Sequence, residues 1–161
     1  MFLILACALA GALVSGWLLV RFESLHSHLS FDLAESGPQK FHARPTPRIG
    51  GVSIAFGLAT GLVCAVLQGQ VDATFAVALG LTLVPAVGSG LLEDLTKKLG
   101  PDMRLWASFL SALVAVFFFD AVVLRSGLPL TDAILSWYPI ALLVTVVAVG
   151  GVAHAVNIID G

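Results

Sequence analysis

Apolar residues fill five long runs of this chain, and polar residues gather in the short stretches between them. The runs extend from Phe2 to Val20, Gly50 to Leu67, Ala73 to Leu92, Leu105 to Leu124 and Pro139 to Val156. They are apolar all round rather than along one stripe, unlike the helices of a water-soluble domain. At about 1.5 Å per residue each can cross a hydrocarbon core about 30 Å thick. The pattern therefore predicts an all-α fold, a polytopic transmembrane bundle with about five spanning helices. The first run lacks the basic n-region of a signal peptide, is long for an h-region and leads into Arg21 rather than a small-residue cleavage site, so a spanning helix is expected there. Gly57 and Gly61 form a GxxxG pair, and with Gly11, Ser15, Gly88 and Gly90 they predict close helix approach within the bundle. No internal repeat is apparent.

Charge placement orients the bundle. The connections run Arg21 to Ile49, Gln68 to Asp72, Glu93 to Arg104 and Arg125 to Tyr138. Alternation puts the first and third on one side, and seven of the eight basic residues fall there, with Arg125 alone opposite. By the positive-inside rule that side is cytoplasmic and the N-terminus lies outside. Trp137 and Tyr138 suit an aromatic belt at the outer surface. The fifth run then ends in the cytoplasm, where it reads "NIIDG", so all three polar clusters converge on one membrane face. Composition agrees with the membrane reading. Of 161 residues 58% are hydrophobic and 11% charged, and the mean hydropathy is +1.01, a balance that leaves no polar surface for a soluble domain. The formal net charge of −2 gives no reason to expect a nucleic-acid partner. Cys7 and Cys64 lie inside apolar runs, where a thiol acts as a small hydrophobe, which argues against a disulfide or a metal site.

Each cluster has a chemical reading and a plainer one. In "GLLEDLTKKLGPDMR", Glu93 and Asp94 could hold Mg²⁺, which takes one or two carboxylates plus substrate phosphate oxygens. The plainer reading is a solvated helix end with Glu93–Lys97 and Asp94–Lys98 ion pairs at i,i+4 spacing. In "HAVNIIDG", Asn157 and Asp160 share a helical face, and Asp160 could complete a metal site; alternatively the Asp-Gly pair simply ends the helix. His154 is better read as a packed or interfacial histidine. In "KFHARPTPRIGG", two prolines resist helix, and Gly50 and Gly51 allow close backbone approach where the second run begins. A helix N-terminus flanked by Lys40, His42, Arg44 and Arg48 is a candidate phosphate site. Anchoring arginines with a proline stop account for the rest of that stretch, but not for the glycine pair. Together, acidic residues for a divalent metal and basic residues for phosphates on one face suggest a membrane enzyme acting on a phosphorylated, nucleotide-linked substrate.

The segments "HARPTPRIGG", "GLLEDLTKKLGPDMRL" and "NIIDG", in that order, resemble the polyprenyl-phosphate N-acetylhexosamine-1-phosphate transferases, or glycosyltransferase group 4. The resemblance extends over essentially the whole chain and about the first half of a typical member of around ten spans. It implies one membrane domain over residues 1–161, the N-terminal half of a larger transferase domain that is expected to be poorly active or inactive by itself. It implies transfer of a sugar 1-phosphate, expected to be GlcNAc-1-phosphate, from a UDP-sugar to undecaprenyl phosphate with release of UMP. The setting implied is cell-envelope polysaccharide synthesis, such as lipopolysaccharide O-antigen, at a bacterial inner membrane with the active face cytoplasmic. The cofactor implied is Mg²⁺, with Mn²⁺ as a substitute, and the partners are the two substrates and the bilayer; a homo-oligomer is compatible. Glu93, Asp94 and Asp160 match the family's metal and catalytic carboxylates, with Glu93 where the family usually has Asp. His42, Thr46, Arg48, Gly50, Gly51, Arg104 and Asn157 match substrate-binding positions. Whether Asp94 binds metal or acts on the lipid phosphate is left open by the motif.

Three alternatives remain at this point. The "TPRIGG" form and the "LGPDMRL" continuation resemble the GlcNAc branch more than the phospho-N-acetylmuramoyl-pentapeptide transferases of peptidoglycan synthesis. A transporter or ion-coupled channel would carry acidic groups deep within its spans, and here Asp120 alone lies inside a run. A non-catalytic membrane subunit is the third.

Overall fold

The computed structural model describes residues 1–22, 50–96 and 100–159. Among these residues there are six helices and no strand: α1 (Phe2–Arg21), α2 (Gly50–Leu67), α3 (Ala73–Thr96), α4 (Pro101–Phe119), α5 (Pro129–Leu135) and α6 (Tyr138–Ile159). All but α5 are long and apolar enough to span a membrane, as the hydropathy pattern predicts. Their outward surface is apolar too: Phe2, Leu67 and Phe117 are each more than 80% exposed.

Two regions depart most from the pattern. The fourth run was expected from Leu105 to Leu124, but the helix occupies Pro101–Phe119. It starts early because Pro101 stands in its first turn, where a missing N–H costs nothing, and Asp102 beside it faces the positive end of the helix dipole. It stops early because Asp120 adopts a left-handed conformation, φ 49° and ψ 37°, and its N–H bonds to Val116 O at 2.8 Å. Asp tolerates that geometry better than most side chains. Asp120 is thus a helix terminator rather than an acid within a span. Beyond it the apolar residues 121–124 leave the helix, so their backbone needs other partners. Val122 N–H bonds to Asp120 O at 2.8 Å, and Val123 N–H bonds to Thr145 Oγ1 on α6 at 2.9 Å.

The second difference is α5, which falls in a stretch read as a plain connection. Its signals are local and polar: Pro129 in the first turn and Asp132 behind it, features that start helices but that a hydropathy window averages away. Asp132 Oδ1 accepts the Ser126 N–H at 2.7 Å and the Ser126 hydroxyl at 2.9 Å. Those bonds, the amide's foremost, hold the Asp132 carboxyl below its ordinary 3.8. Leu135 at the end of α5 is buried and anchors the short helix to α6. Asp72 performs a similar task for α3, its Oδ2 accepting Thr74 N–H at 2.8 Å as an N-cap.

The chain forms two compact units, one of residues 1–80 with 87–99 and the other of residues 81–86 with 100–161. In the first, α1 and α2 pack antiparallel through small residues. A Cβ on Gly57 would stand 2.7 Å from Ala12 Cβ and 2.8 Å from Ala8 O, and one on Gly61 would stand 3.0 Å from Ala8 Cβ. One on Gly11 would collide with the Thr60 hydroxyl, which itself bonds across the interface to Cys7 O at 3.2 Å. The GxxxG pair therefore does what its spacing predicts. For Gly88 and Gly90 no such contact is seen: among the described residues nothing lies within 4 Å of a Cβ on either.

In the second unit α4 lies on α6, where Gly150 leaves space for the Phe109 ring, and Phe109 meets Trp106 edge to face at 5.6 Å. Ala112 and Ala141 are buried in this unit. Pro85 interrupts α3, and the next amide, that of Ala86, donates to Ser111 Oγ at 3.1 Å. Thr145 is buried with its hydroxyl satisfied twice, accepting from Val123 and donating to Ala141 O at 2.7 Å.

Two outcomes follow from this packing. Gly57→Val must push α1 away and is expected to cost about 1–3 kcal/mol, read as a lower thermal midpoint in detergent, whereas Gly88→Ala should change it by no more than about 0.5 kcal/mol. Because the Asp132 pKa is depressed in the folded state, its stabilising contribution is present above the unfolded value of 3.8 and is lost as pH falls through the lower folded value. Protection of the Ser126 amide from hydrogen exchange should accordingly weaken in that acid window, and Asp132→Asn should remove this pH dependence.

Candidate active site

The acidic pair occupies the last turn of α3, which continues past the expected end at Leu92 as far as Thr96. Thr96 Oγ1 bonds back to Leu92 O at 2.5 Å, closing this turn. Glu93 and Asp94 are both half-buried, and Glu93 Oε2 is shielded from solvent. Successive residues on a helix diverge by about 100°, so the two carboxylates offer separate oxygen donors rather than a closed cage. Oxygen donors of this number suit Mg²⁺, which binds through one or two carboxylates and leaves its other positions to water and phosphate. Among the described residues no group of three or more His, Cys, Asp and Glu side chains could hold a metal ion.

Arg104 stands in the first turn of α4, half-buried, with Nε out of contact with solvent. Its carbonyl accepts the Ser108 hydroxyl at 3.0 Å. The guanidinium is a fixed positive charge with a planar fork of donors that matches phosphate oxygens. Gly50 and Gly51 are the first two residues of α2. Among the described residues nothing lies within 4 Å of a Cβ on either, so no helix contact in the structure requires them to be glycine. Asn157 lies on α6, which runs on through Ile159, and His154 is half-buried one turn earlier.

His42, Thr46, Arg48 and Asp160 lie outside the described residues, as do Lys97 and Lys98 of the expected surface ion pairs. Among the described residues the Asp, Glu, Lys and Arg side chains of the spanning helices are confined to their first or last turns. Asp120 is no exception. It sits just past α4, and its carboxylate accepts the Tyr138 hydroxyl at 3.4 Å at the start of α6. Hydropathy reading missed this contact because the two residues are far apart in the chain, although a lone Asp closing an apolar run was a visible cue.

The model of the family described as "Glycosyl transferase family 4" matches residues 74–161, more than half of the chain. The chain belongs to this family. Comparison with curated proteins and with solved structures gives no match. The matched stretch begins within α3, so the acidic pair, Arg104 and the Asn-x-x-Asp-Gly segment fall inside it, while the "HARPTPRIGG" residues fall outside. Membership makes the protein a multi-pass membrane transferase of the polyprenyl-phosphate sugar-1-phosphate kind, with a lipid-linked acceptor and a nucleotide-sugar donor.

A terminating rather than ion-conducting Asp120 leads to a distinct expectation for a glycosyl transferase family 4 enzyme. Asp120→Gly, which fits the left-handed backbone without strain, should keep both transfer activity and thermal stability, while Asp120→Val should destabilise the fold by roughly 1–3 kcal/mol, read as a lower thermal midpoint.

Proposed function

We propose that this enzyme transfers GlcNAc-1-phosphate from UDP-GlcNAc to undecaprenyl phosphate, releasing UMP. The observation that carries this reading is that the family match takes in the acidic pair on α3, Arg104 on α4 and the Asn-x-x-Asp-Gly segment that begins on α6. A phosphate oxygen of the lipid attacks the sugar-bearing phosphorus of the donor, and the bond to UMP breaks. Phosphoryl transfer asks the protein mainly to position the reactants and to stabilise charge. In this reading Arg104 binds phosphate oxygens, Asn157 orients a substrate group, and His42, Thr46, Arg48, Gly50 and Gly51 shape the phosphate-handling entry to α2. Asp94 binds metal or orients the lipid phosphate. Glu93, Asp94 and Asp160 would hold Mg²⁺, which when bound offsets the negative charge of the diphosphate and the leaving UMP.

The polarity of the membrane supports the same reading. With five spans, alternation brings the ends of α1, α3 and α6 and the starts of α2 and α4 to one side, the side that carries seven of the eight basic residues. Under the positive-inside rule this is the cytoplasmic side, where nucleotide sugars are found, and the N-terminus is outside.

Release of UMP by the enzyme, supplied with UDP-GlcNAc and undecaprenyl phosphate, tests the proposal. It should require Mg²⁺, and Asp94→Asn and Asp160→Asn should each lower turnover on the order of 10²-fold or more. Turnover with UDP-N-acetylmuramoyl-pentapeptide in place of UDP-GlcNAc would move the enzyme to the peptidoglycan branch. Failure with every UDP-sugar would overturn the proposal.

A further inference from the structure

Cys7 and Cys64 are separated by most of two helices and a long connection, and apolar context argues that each is a packing residue. The tertiary structure brings them together. On the α1–α2 interface Thr60 Oγ1 donates to Cys7 O at 3.2 Å, and one turn further along each helix Cys64 Sγ approaches Leu3 O at 3.9 Å. Cys7 lies one turn beyond Leu3 on α1, in the same register, with the Cys64 side chain as its neighbour. Both thiols are free and half-buried.

A disulfide needs Cα atoms no more than about 7 Å apart. Helices packed through bulky side chains stand about 8–10 Å apart, whereas the seam here is built from residues without bulk. A Cβ placed on Gly61 would be 3.7 Å from Ala8 Cα, immediately beside the thiol pair. The pair also lies close to the end of α2. Cys64 is three residues from the end of α2, about 5 Å along the axis, and the exposed Gln68 amide donates to Cys64 Sγ at 3.1 Å.

We propose that Cys7 and Cys64 are a reversible disulfide site that clamps α1 to α2 under oxidising conditions. The two thiols lose two protons and two electrons in forming one S–S bond. A disulfide oxidant accepts them by thiol–disulfide exchange and leaves as the reduced dithiol. The clamp lies at the end of the helix pair away from Gly50 and Gly51, so it secures the pair without touching the candidate phosphate-handling entry.

The test uses the full chain in membranes, oxidised with glutathione disulfide and then unfolded and labelled with a polyethylene-glycol maleimide. Reduced protein should carry two labels and oxidised protein none, with dithiothreitol restoring both, and mass spectrometry should find the peptides of Cys7 and Cys64 linked within one chain. Cys7→Ser and Cys64→Ser should each leave one thiol that is labelled before and after oxidation. Moving the second thiol to the exposed helix end, Cys64→Ser with Leu67→Cys, should abolish the cross-link. Two labels after oxidation, a cross-link only between copies, or equal cross-linking from position 67 would each overturn the proposal.

Discussion

In a hydrocarbon environment every backbone N–H and C=O must find its partner inside the protein, and the rest of this structure follows from that demand. Helices meet it within a single segment, which is why the five apolar runs are helical. At several helix interruptions among the described residues a polar side chain supplies the missing partner. The Ala86 amide after Pro85 is met by Ser111, and the Val123 amide beyond α4 is met by Thr145. Asp72 caps α3, and Asp132 organises the turn before α5. These few polar groups are costly in an apolar chain, and each is placed where the backbone would otherwise be unsatisfied.

The same demand explains where the charges lie. A carboxylate or guanidinium deep in a span would have to be paired or hydrated at considerable cost, and here the described charges of the spanning helices stand at their ends. A transferase joining a lipid phosphate to a water-soluble nucleotide sugar needs its charged groups at that level, where the lipid's headgroup meets the aqueous donor. Family membership and helix-end charge thus point in one direction, while an ion path through the middle of the spans finds no support among the described residues.

Close packing without bulk is the second organising feature. Ala8, Ala12, Gly57 and Gly61 let α1 and α2 approach until side chain meets backbone, and dispersion contacts replace the hydrophobic drive that lipid does not provide. That approach has a chemical consequence, since it draws two distant thiols into contact. The glycines at 50, 51, 88 and 90 have no such packing role in the described structure.

The amino-acid sequence alone determined the fold class, the number of spans and the Gly57–Gly61 contact, because hydropathy and small-residue spacing act within a single helix or turn. It also carried the family, through Glu93, Asp94 and the "NIIDG" segment. The boundaries of α4 were less legible, since they depend on Pro101 and on the backbone of Asp120 rather than on average hydropathy. Legibility of the candidate site stopped at residue types: Glu93, Asp94 and Arg104 could be placed beside helix ends, but their positions within terminal turns and their half-burial could not. Only the tertiary structure decided which α1 residues Gly57 and Gly61 meet, that Asp120 meets Tyr138, and that Cys7 and Cys64 are neighbours. Those facts depend on which residues of two different helices come to face each other, and no periodicity within one segment encodes that.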